Sequence, residues 1–283
     1  MSDAAARVTV VLTAFNSAAV IGRALASVPA GAPCVVVDNA GRDDTAAAAL
    51  AVRPDARIVR AERNRGFGAG CNLGLAQVRT PYAALLNPDA ALGPGCLEAG
   101  LAAMDADPRL AIAGADLSLS AGVGTERKAQ DDVSGAFMML RMTAIRALGG
   151  FDERFFLYFE NADLCLRARA AGWRVGRAPG AAVSHEGGAS SAPSPDAALE
   201  KARIWGGSCA LFAETHPDAP AGVAAARKLR RYALKAALAR LTLRPGAAAL
   251  YVARLAGARL VRERGPEAMA DNLFARPREG APA

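Results

Sequence analysis

Paired cysteines, a leader-like pattern in the first residues, a long apolar run and a glycine turn behind the first strand are what this sequence lacks. Its five cysteines (Cys34, Cys71, Cys96, Cys165 and Cys209) form no Cys-x-x-Cys pair and are odd in number. That excludes a disulfide framework or cysteine zinc site and fits reduced thiols in a cytosolic protein. Met1 to Arg7 lacks the charged, then apolar, then small-residue succession of a secretory leader. No stretch reaches the roughly 18 uninterrupted apolar residues of a membrane span, so a soluble or peripherally bound protein is expected. Aromatic residues make up 5% of the chain, leaving no surplus of rings to stack nucleic-acid bases. Behind the first apolar run, Thr13-Ala14-Phe15-Asn16-Ser17 contains no glycine. This argues against a nicotinamide or methyl-donor site, whose glycine turn follows the first strand.

What is present describes a globular chain: 283 residues, 52% hydrophobic and 22% charged, enough for a sizeable core. The net charge of +7 is unevenly spread. Residues 221–283 carry 13 Lys and Arg against 4 Asp and Glu, leaving 21 basic against 23 acidic residues upstream. The basic, Ala- and Leu-rich tail suits an anionic membrane surface at least as well as a phosphate backbone. On a helical wheel Leu234, Leu238 and Leu241 cluster there, but Arg227, Arg230 and Arg231 project close to the same side. The amphipathic separation is therefore imperfect.

Strand-like and helix-like stretches alternate through the first hundred residues. Val8 to Leu12, Cys34 to Val37, Arg57 to Arg60 and Ala83 to Leu86 read as strands, the first, second and last covered on both faces. Between them, Ser17 is a plausible cap for a helix to about Ser27, Asp43-Asp44-Thr45 can start a second, and Gly66 through Val78 supplies a glycine-rich third. This rhythm predicts an α/β fold with a doubly wound, mainly parallel sheet and helices on both faces. Further strands are expected at Leu110–Ala113, Phe137–Leu140 and Ala181–Ser184, with a surface loop over 118–132. A short helix from Thr143 to Leu148 stops at Gly149-Gly150, and another runs from Ala162 to Gly172. Leu164, Cys165, Ala168 and Ala171 form the buried face of that helix, with Arg167 and Arg169 facing out. A Gly, Ser and Pro loop over 186–196 precedes a helix from about Ala197 to Thr215; beyond Pro217 the chain is helical up to a disordered end.

Ligand-type side chains collect where these strands end. Asp38, Asp89, the Glu160 to Asp163 group and His185 each stand at a predicted carboxyl strand end or a helix start, where open α/β sheets bind ligands. Sequence-distant carboxylates and a histidine at one edge suit a hard divalent cation shared with a substrate diphosphate. Each residue alone also has a plainer reading. Asn87-Pro88-Asp89 makes a good turn, Asn161 a helix N-cap and Asp163 a first-turn acid, while the glycines of 66–70 fit close backbone approach.

Six ordered motifs carry a resemblance. Val-Val-Leu-Thr-Ala-Phe-Asn (10–16), Val-Val-Asp-Asn-Ala (36–40), Asn-Arg-Gly-Phe-Gly-Ala-Gly-Cys-Asn-Leu-Gly (64–74), Leu-Leu-Asn-Pro-Asp-Ala (85–90), the long stretch from Gly149 to Arg167, and Ser-His-Glu-Gly-Gly (184–188) resemble family 2 glycosyltransferases, in particular the rhamnosyltransferase-like branch. The match covers roughly residues 8–215. It implies a GT-A fold over 1–218, a basic helical extension over 219–283, and inverting, metal-dependent transfer from a UDP- or dTDP-sugar, dTDP-rhamnose among them. On this resemblance Asp38, with Ala14 and Phe15 beside it, contacts the base or ribose, and Asn64, Gly66 and Phe67 border the nucleotide-sugar. Asn87-Pro88-Asp89 stands for the family's Asp-x-Asp motif, so Asp89 ligates Mg2+ or Mn2+ with His185 as a later metal or diphosphate ligand. Gly135, Ala136 and the aromatic run through Tyr158 shape the sugar and acceptor pocket.

One departure concerns the base. Where the family has Glu-Asp this chain has Glu160-Asn161, and an amide cannot remove a proton at neutral pH. The role passes to Glu160 or Asp163, with Asn161 left as a pocket residue; the alternative is a non-catalytic nucleotide-sugar-binding homologue. The expected partners are a nucleotide-sugar and a cell-surface glycan or lipid-linked acceptor, not nucleic acid. The expected place is the cytoplasm, with peripheral contact at the inner face of the cell membrane through the tail.

Overall fold

A computed structural model describes residues 5–119, 133–186, 194–241, 245–270, 272 and 274. Its strands are β1 (Val8–Ala14), β2 (Cys34–Asp38), β3 (Arg57–Arg60), β4 (Tyr82–Leu86), β5 (Ala90–Leu92), β6 (Leu110–Leu119), β7 (Phe137–Arg141) and β8 (Arg174–His185). The helices are α1 (Ile21–Ala26), α2 (Thr45–Val52), α3 (Phe67–Leu75), α4 (Cys96–Ala106), α5 (Met142–Ala147), α6 (Glu160–Ala170), α7 (Pro195–Thr215), α8 (Pro220–Leu241) and α9 (Pro245–Arg264). The strands form one sheet in the order β3-β2-β1-β4-β7-β6-β8-β5. It is parallel from β3 to β4, and beyond that β7 runs antiparallel to both β4 and β6, β6 parallel to β8, and β5 antiparallel to β8.

The alternation of side chains along each strand splits the core in two. Val8, Val10 and Leu12 of β1 join Val36, Ala84, Leu86 and Phe137 beneath α1 and α4. Val11 joins Val35, Val37, Leu85 and Met138 beneath α3, α5 and α6 on the other face. Burial on both faces is why these strands read as continuous apolar runs. A third cluster lies outside the sheet, where Phe155 and Phe156 pack with Ile204 and Phe212 of α7, Leu229 of α8 and Val261 of α9.

The sheet's polarity gathers the interesting residues at one edge. The carboxyl ends of β1, β2 and β4 lie there, with Ala14 opposite Asp38. Because β7 is antiparallel to β4 and Leu86 pairs with Phe137, residues 133–136 arrive at the same edge. Parallel to β4 through two reversals, β6 and β8 end there too, and the pairing of Ala90 with His185 brings β5 alongside.

The α3 glycines are explained by packing. A Cβ on Gly70 would lie 2.5 Å from Thr13 Cγ2, and one on Gly74 would collide with Val11 Cγ1. α3 therefore rests directly on β1. Gly66 differs: its φ is +104° and Phe156 O stands where a Cβ would be, so only glycine fits.

Several sequence expectations need correction. α1 begins at Ile21 and Ser17 does not cap it; the Ser17 hydroxyl donates to Phe15 O. α6 begins at Glu160, two residues before the expected Ala162, and Ala171 is exposed. Arg167 does not face out but donates to Leu148 O and Gly150 O across the 149–150 turn. β8 extends over Arg174–His185, its apolar pattern broken by Arg174, Arg177, Pro179 and Gly180, so only its end was legible. Most of the expected 118–132 loop, most of the 186–196 loop and the Pro- and Gly-rich end lie outside the described residues.

The basic tail packs against the rest. A Cβ on Gly206 of α7 would meet Arg254 O, and one on Gly257 of α9 would meet Arg203 O, so α7 and α9 cross backbone to backbone. Leu234 and Leu238 of α8 are 72% and 57% exposed. Among the described residues no helix is long and apolar enough to cross a membrane.

The glycine packing is testable by equilibrium urea unfolding. Gly74→Ala presses a methyl group into Val11 and is expected to lower stability by about 1–3 kcal/mol. Gly246→Ala, with nothing within 4 Å of its Cβ, leaves stability unchanged or raises it.

Candidate active site

Two adjoining cavities open along this edge. The smaller, about 260 Å³, is bordered by Phe15, Asn39, Asn64, Asn87, Asp89 and Lys201, among others. The larger, about 890 Å³, includes Gly135, Ala136, Glu160, Asn161, Trp205 and Lys228 in its walls. Phe67, Asn87, Leu157, Tyr158 and His185 line both, so the two form one continuous cleft.

At the floor of the smaller cavity Asp89, 6% exposed, faces His185, whose Nε2 lies 3.1 Å from Asp89 Oδ1. The same Nε2 lies 3.4 Å from Asn87 Nδ2. Asn87 Oδ1 is buried and accepts no hydrogen bond, a costly arrangement for a carbonyl unless a ligand completes it. Amide oxygen, carboxylate and imidazole together fit a hard divalent cation that takes few protein ligands and fills its shell from a diphosphate. Among the described residues no group of three or more His, Cys, Asp and Glu side chains gathers, so any such cation would depend on the amide and the substrate.

The wall behind is built from amides. Asn39 Nδ2 donates to Asn64 Oδ1 and to Gly66 O, both at 3.0 Å, and Asn64 Oδ1 also accepts the Gly66 N–H at 2.9 Å. These bonds hold the turn into α3 against the end of β2. Asp38 and Ala14, expected at the nucleotide, line neither cavity. The Asp38 carboxylate turns back to accept the Gly41 N–H at 2.9 Å, which leaves the adjacent Asn39 facing the cleft.

The entrance to α6 is strained. Tyr158 and Phe159 have φ of 71° and 70°, the left-handed region that side-chain-bearing residues rarely adopt. Phe159 packs against Trp205 and Phe212 at centroid distances of 5.5 and 5.1 Å, which holds the reversal in place. It delivers Glu160, 5% exposed, to the larger cavity, where an added Cβ on Gly135 would be 3.9 Å from Glu160 Oε1. Burial raises the Tyr158 phenol above its ordinary value; the Glu160 carboxylate raises it further and Arg254 opposes them, so Tyr158 keeps its proton. The helix cap is Phe159, and Asn161 instead donates from Nδ2 to Val133 O at 2.6 Å.

Asp163 lines neither cavity. Fully buried, it receives Arg167 Nε at 2.8 Å on one oxygen and His216 Nε2 at 2.9 Å on the other. Both oxygens are engaged in tying α6 to the end of α7. Lys201, Trp205 and Lys228, from α7 and α8, had no signal in the sequence beyond a helical pattern; Asn39 was visible only as the neighbour of Asp38.

Glycosyl transferase family 2 matches residues 9–164, more than half of the chain. The chain belongs to this family. It is a transferase that moves a sugar from a nucleotide-sugar donor. Glycosyl transferase family group 2 also matches residues 122–261, which takes in α7 and α8. Among curated relatives, an uncharacterized glycosyltransferase of Mycobacterium tuberculosis (strain ATCC 25618 / H37Rv) is 33% identical over 184 residues, covering 59% of this chain and 81% of its own. An N-acetylglucosaminyl-diphospho-decaprenol L-rhamnosyltransferase of the same strain is 26% identical over 200 residues, covering 53% and 65%. In fold, this family 2 glycosyltransferase is similar to a mannosyltransferase from Pyrobaculum calidifontis in complex with GDP-Man and Mn2+. The TM-score is 0.60 at 18% identity over 90% of this chain and 86% of that one. S. aureus TarS in complex with UDP-GlcNAc gives 0.54 at 15% identity, covering 91% and 92%. These neighbours identify the expected GT-A fold.

The buried Asp163 contacts predict a stability role. Asp163→Ala removes the carboxylate that Arg167 Nε and His216 Nε2 share, and thermal or chemical denaturation is expected to show a loss of roughly 3 kcal/mol, as when the buried carboxylate of an ion pair is removed.

Proposed function

We propose that this glycosyltransferase inverts the anomeric centre of a UDP- or dTDP-activated sugar, with Glu160 as general base, and that a divalent cation assists at Asn87, Asp89 and His185. Support comes chiefly from one juxtaposition: the Glu160 cavity and the Asp89–His185 cavity share Phe67, Asn87, Leu157, Tyr158 and His185. A donor diphosphate in the smaller space and an acceptor in the larger would meet at that common wall.

In this reading the acceptor hydroxyl loses its proton to Glu160 and attacks the anomeric carbon from the side opposite the leaving diphosphate. Asn161, anchored on Val133 O, cannot take that proton, and Asp163 has both oxygens occupied. Lys201 brings a positive charge to the donor cavity. The protonated Tyr158 can donate a hydrogen bond at the shared wall. A bound Mg2+ or Mn2+ would supply charge neutralisation for the departing nucleoside diphosphate; Asn87 Oδ1, Asp89 and His185 are the side chains that would hold it. Trp205 and Lys228 give the larger cavity an aromatic and a cationic wall, which suits a sugar ring carried on a charged glycan or lipid-linked acceptor. Among donors dTDP-rhamnose is the first to test, given the rhamnosyltransferase relative.

Transfer or slow hydrolysis from a panel of UDP-, dTDP- and GDP-sugars with Mn2+ tests this reading. Glu160→Gln is expected to cut turnover about 10²–10⁴-fold, the usual worth of a general base, while donor affinity is retained. Full turnover in that variant removes Glu160 from the role. Asp89→Ala is expected to abolish stimulation by Mn2+, and unchanged stimulation would rule out the cation site.

A further inference from the structure

The segment that follows α9 returns to the donor cavity. Beyond α9 a 3-10 turn (Pro266–Met269) brings Met269 against α7, where a Cβ on Gly207 would lie 2.6 Å from its sulfur. Asn272, 3% exposed, donates from Nδ2 to Met269 O at 2.5 Å and accepts the Phe274 N–H on Oδ1 at 2.9 Å. So anchored, Phe274 lines the smaller cavity and stands perpendicular to Phe15, with centroids 6.3 Å apart and planes at 89°.

The sheet order gives this contact its meaning. Phe15 follows β1, and on its β2 side are Asn39 and Asn64; on its β4 side are Asn87, Asp89 and, through the β5–β8 pairing, His185. The β4 side offers the ligands suited to a diphosphate and its cation. A nucleoside diphosphate that places its charge there extends its base toward Phe15. Perpendicular rings make a two-sided apolar corner, not a slot between parallel faces, so a flat base packs against one ring while the other supports it.

We propose that Phe274 is a donor-binding residue, forming with Phe15 the aromatic corner that holds the nucleobase. This rests on the donor reading above. Through Met269 and Asn272 it makes completion of the donor site depend on the packing of the segment after α9 against α7.

Calorimetric titration of the full chain with UDP, dTDP and inorganic pyrophosphate, each with Mn2+, tests the assignment in wild type, Phe274→Ala and Phe274→Tyr. Phe274→Ala is expected to weaken UDP or dTDP about 5- to 150-fold, the range of a lost base–aromatic stack. Pyrophosphate, which has no base, is expected to bind both forms alike, and Phe274→Tyr to restore nucleotide affinity. Phe274 is half-buried, and matching melting temperatures without ligand check that the fold is kept. Unchanged nucleotide affinity in Phe274→Ala overturns the proposal. So does tighter binding, which would make the tail an occluding segment, and so does an equal loss for pyrophosphate, which would make its role structural. If wild type binds neither nucleotide, the donor reading itself falls and takes this one with it.

Discussion

Asp89 and His185 are 96 positions apart in sequence and 3.1 Å apart in space. A three-residue strand makes the difference. β5 pairs antiparallel with the end of β8, Ala90 opposite His185, and the Glu186 N–H reaches Asp89 O at 3.1 Å. Around this pairing the remaining strands need only obey sheet polarity to bring the rest of the cleft to one edge. Were β5 to slip by one residue, every side chain on it would change face, and Asp89 would no longer meet the imidazole.

A second constraint is the reversal at Tyr158–Phe159. Two consecutive aromatic residues in the left-handed region cost of order 1–3 kcal/mol each, offset by the packing of Phe159 against Trp205 and Phe212. The reversal separates two carboxylates that are one helical turn apart. Glu160 enters the cleft, whereas Asp163 faces inward to Arg167 and His216. Their shared sequence context made them equal candidates for the base; only their surroundings distinguish them.

The glycine-rich start of α3 shows one motif serving two purposes. Gly70 and Gly74 seat the helix on β1, while Gly66 admits the close approach of Phe156 and lines the smaller cavity. The basic C-terminal segment likewise has a role its charge did not indicate. Its helices cover the aromatic run and contribute Lys228 to the larger cavity, and the Phe274 ring meets Phe15.

Local chemistry could determine much from the sequence alone. Runs buried on both faces marked β1, β2 and β4, and the acidic, amide and histidine residues at strand ends marked one edge as the candidate site; Phe15, Asn64, Gly66, Phe67, Asn87, Asp89 and His185 all border the smaller cavity. Tertiary structure alone decided the rest. The direction a carboxylate points depends on what packs behind it, so Asp38 turned to the Gly41 N–H and Asp163 to Arg167 and His216. Lys201, Trp205, Lys228 and Phe274 come from segments whose pattern speaks only of helix and tail, and no local signal carries a contact made across the whole fold.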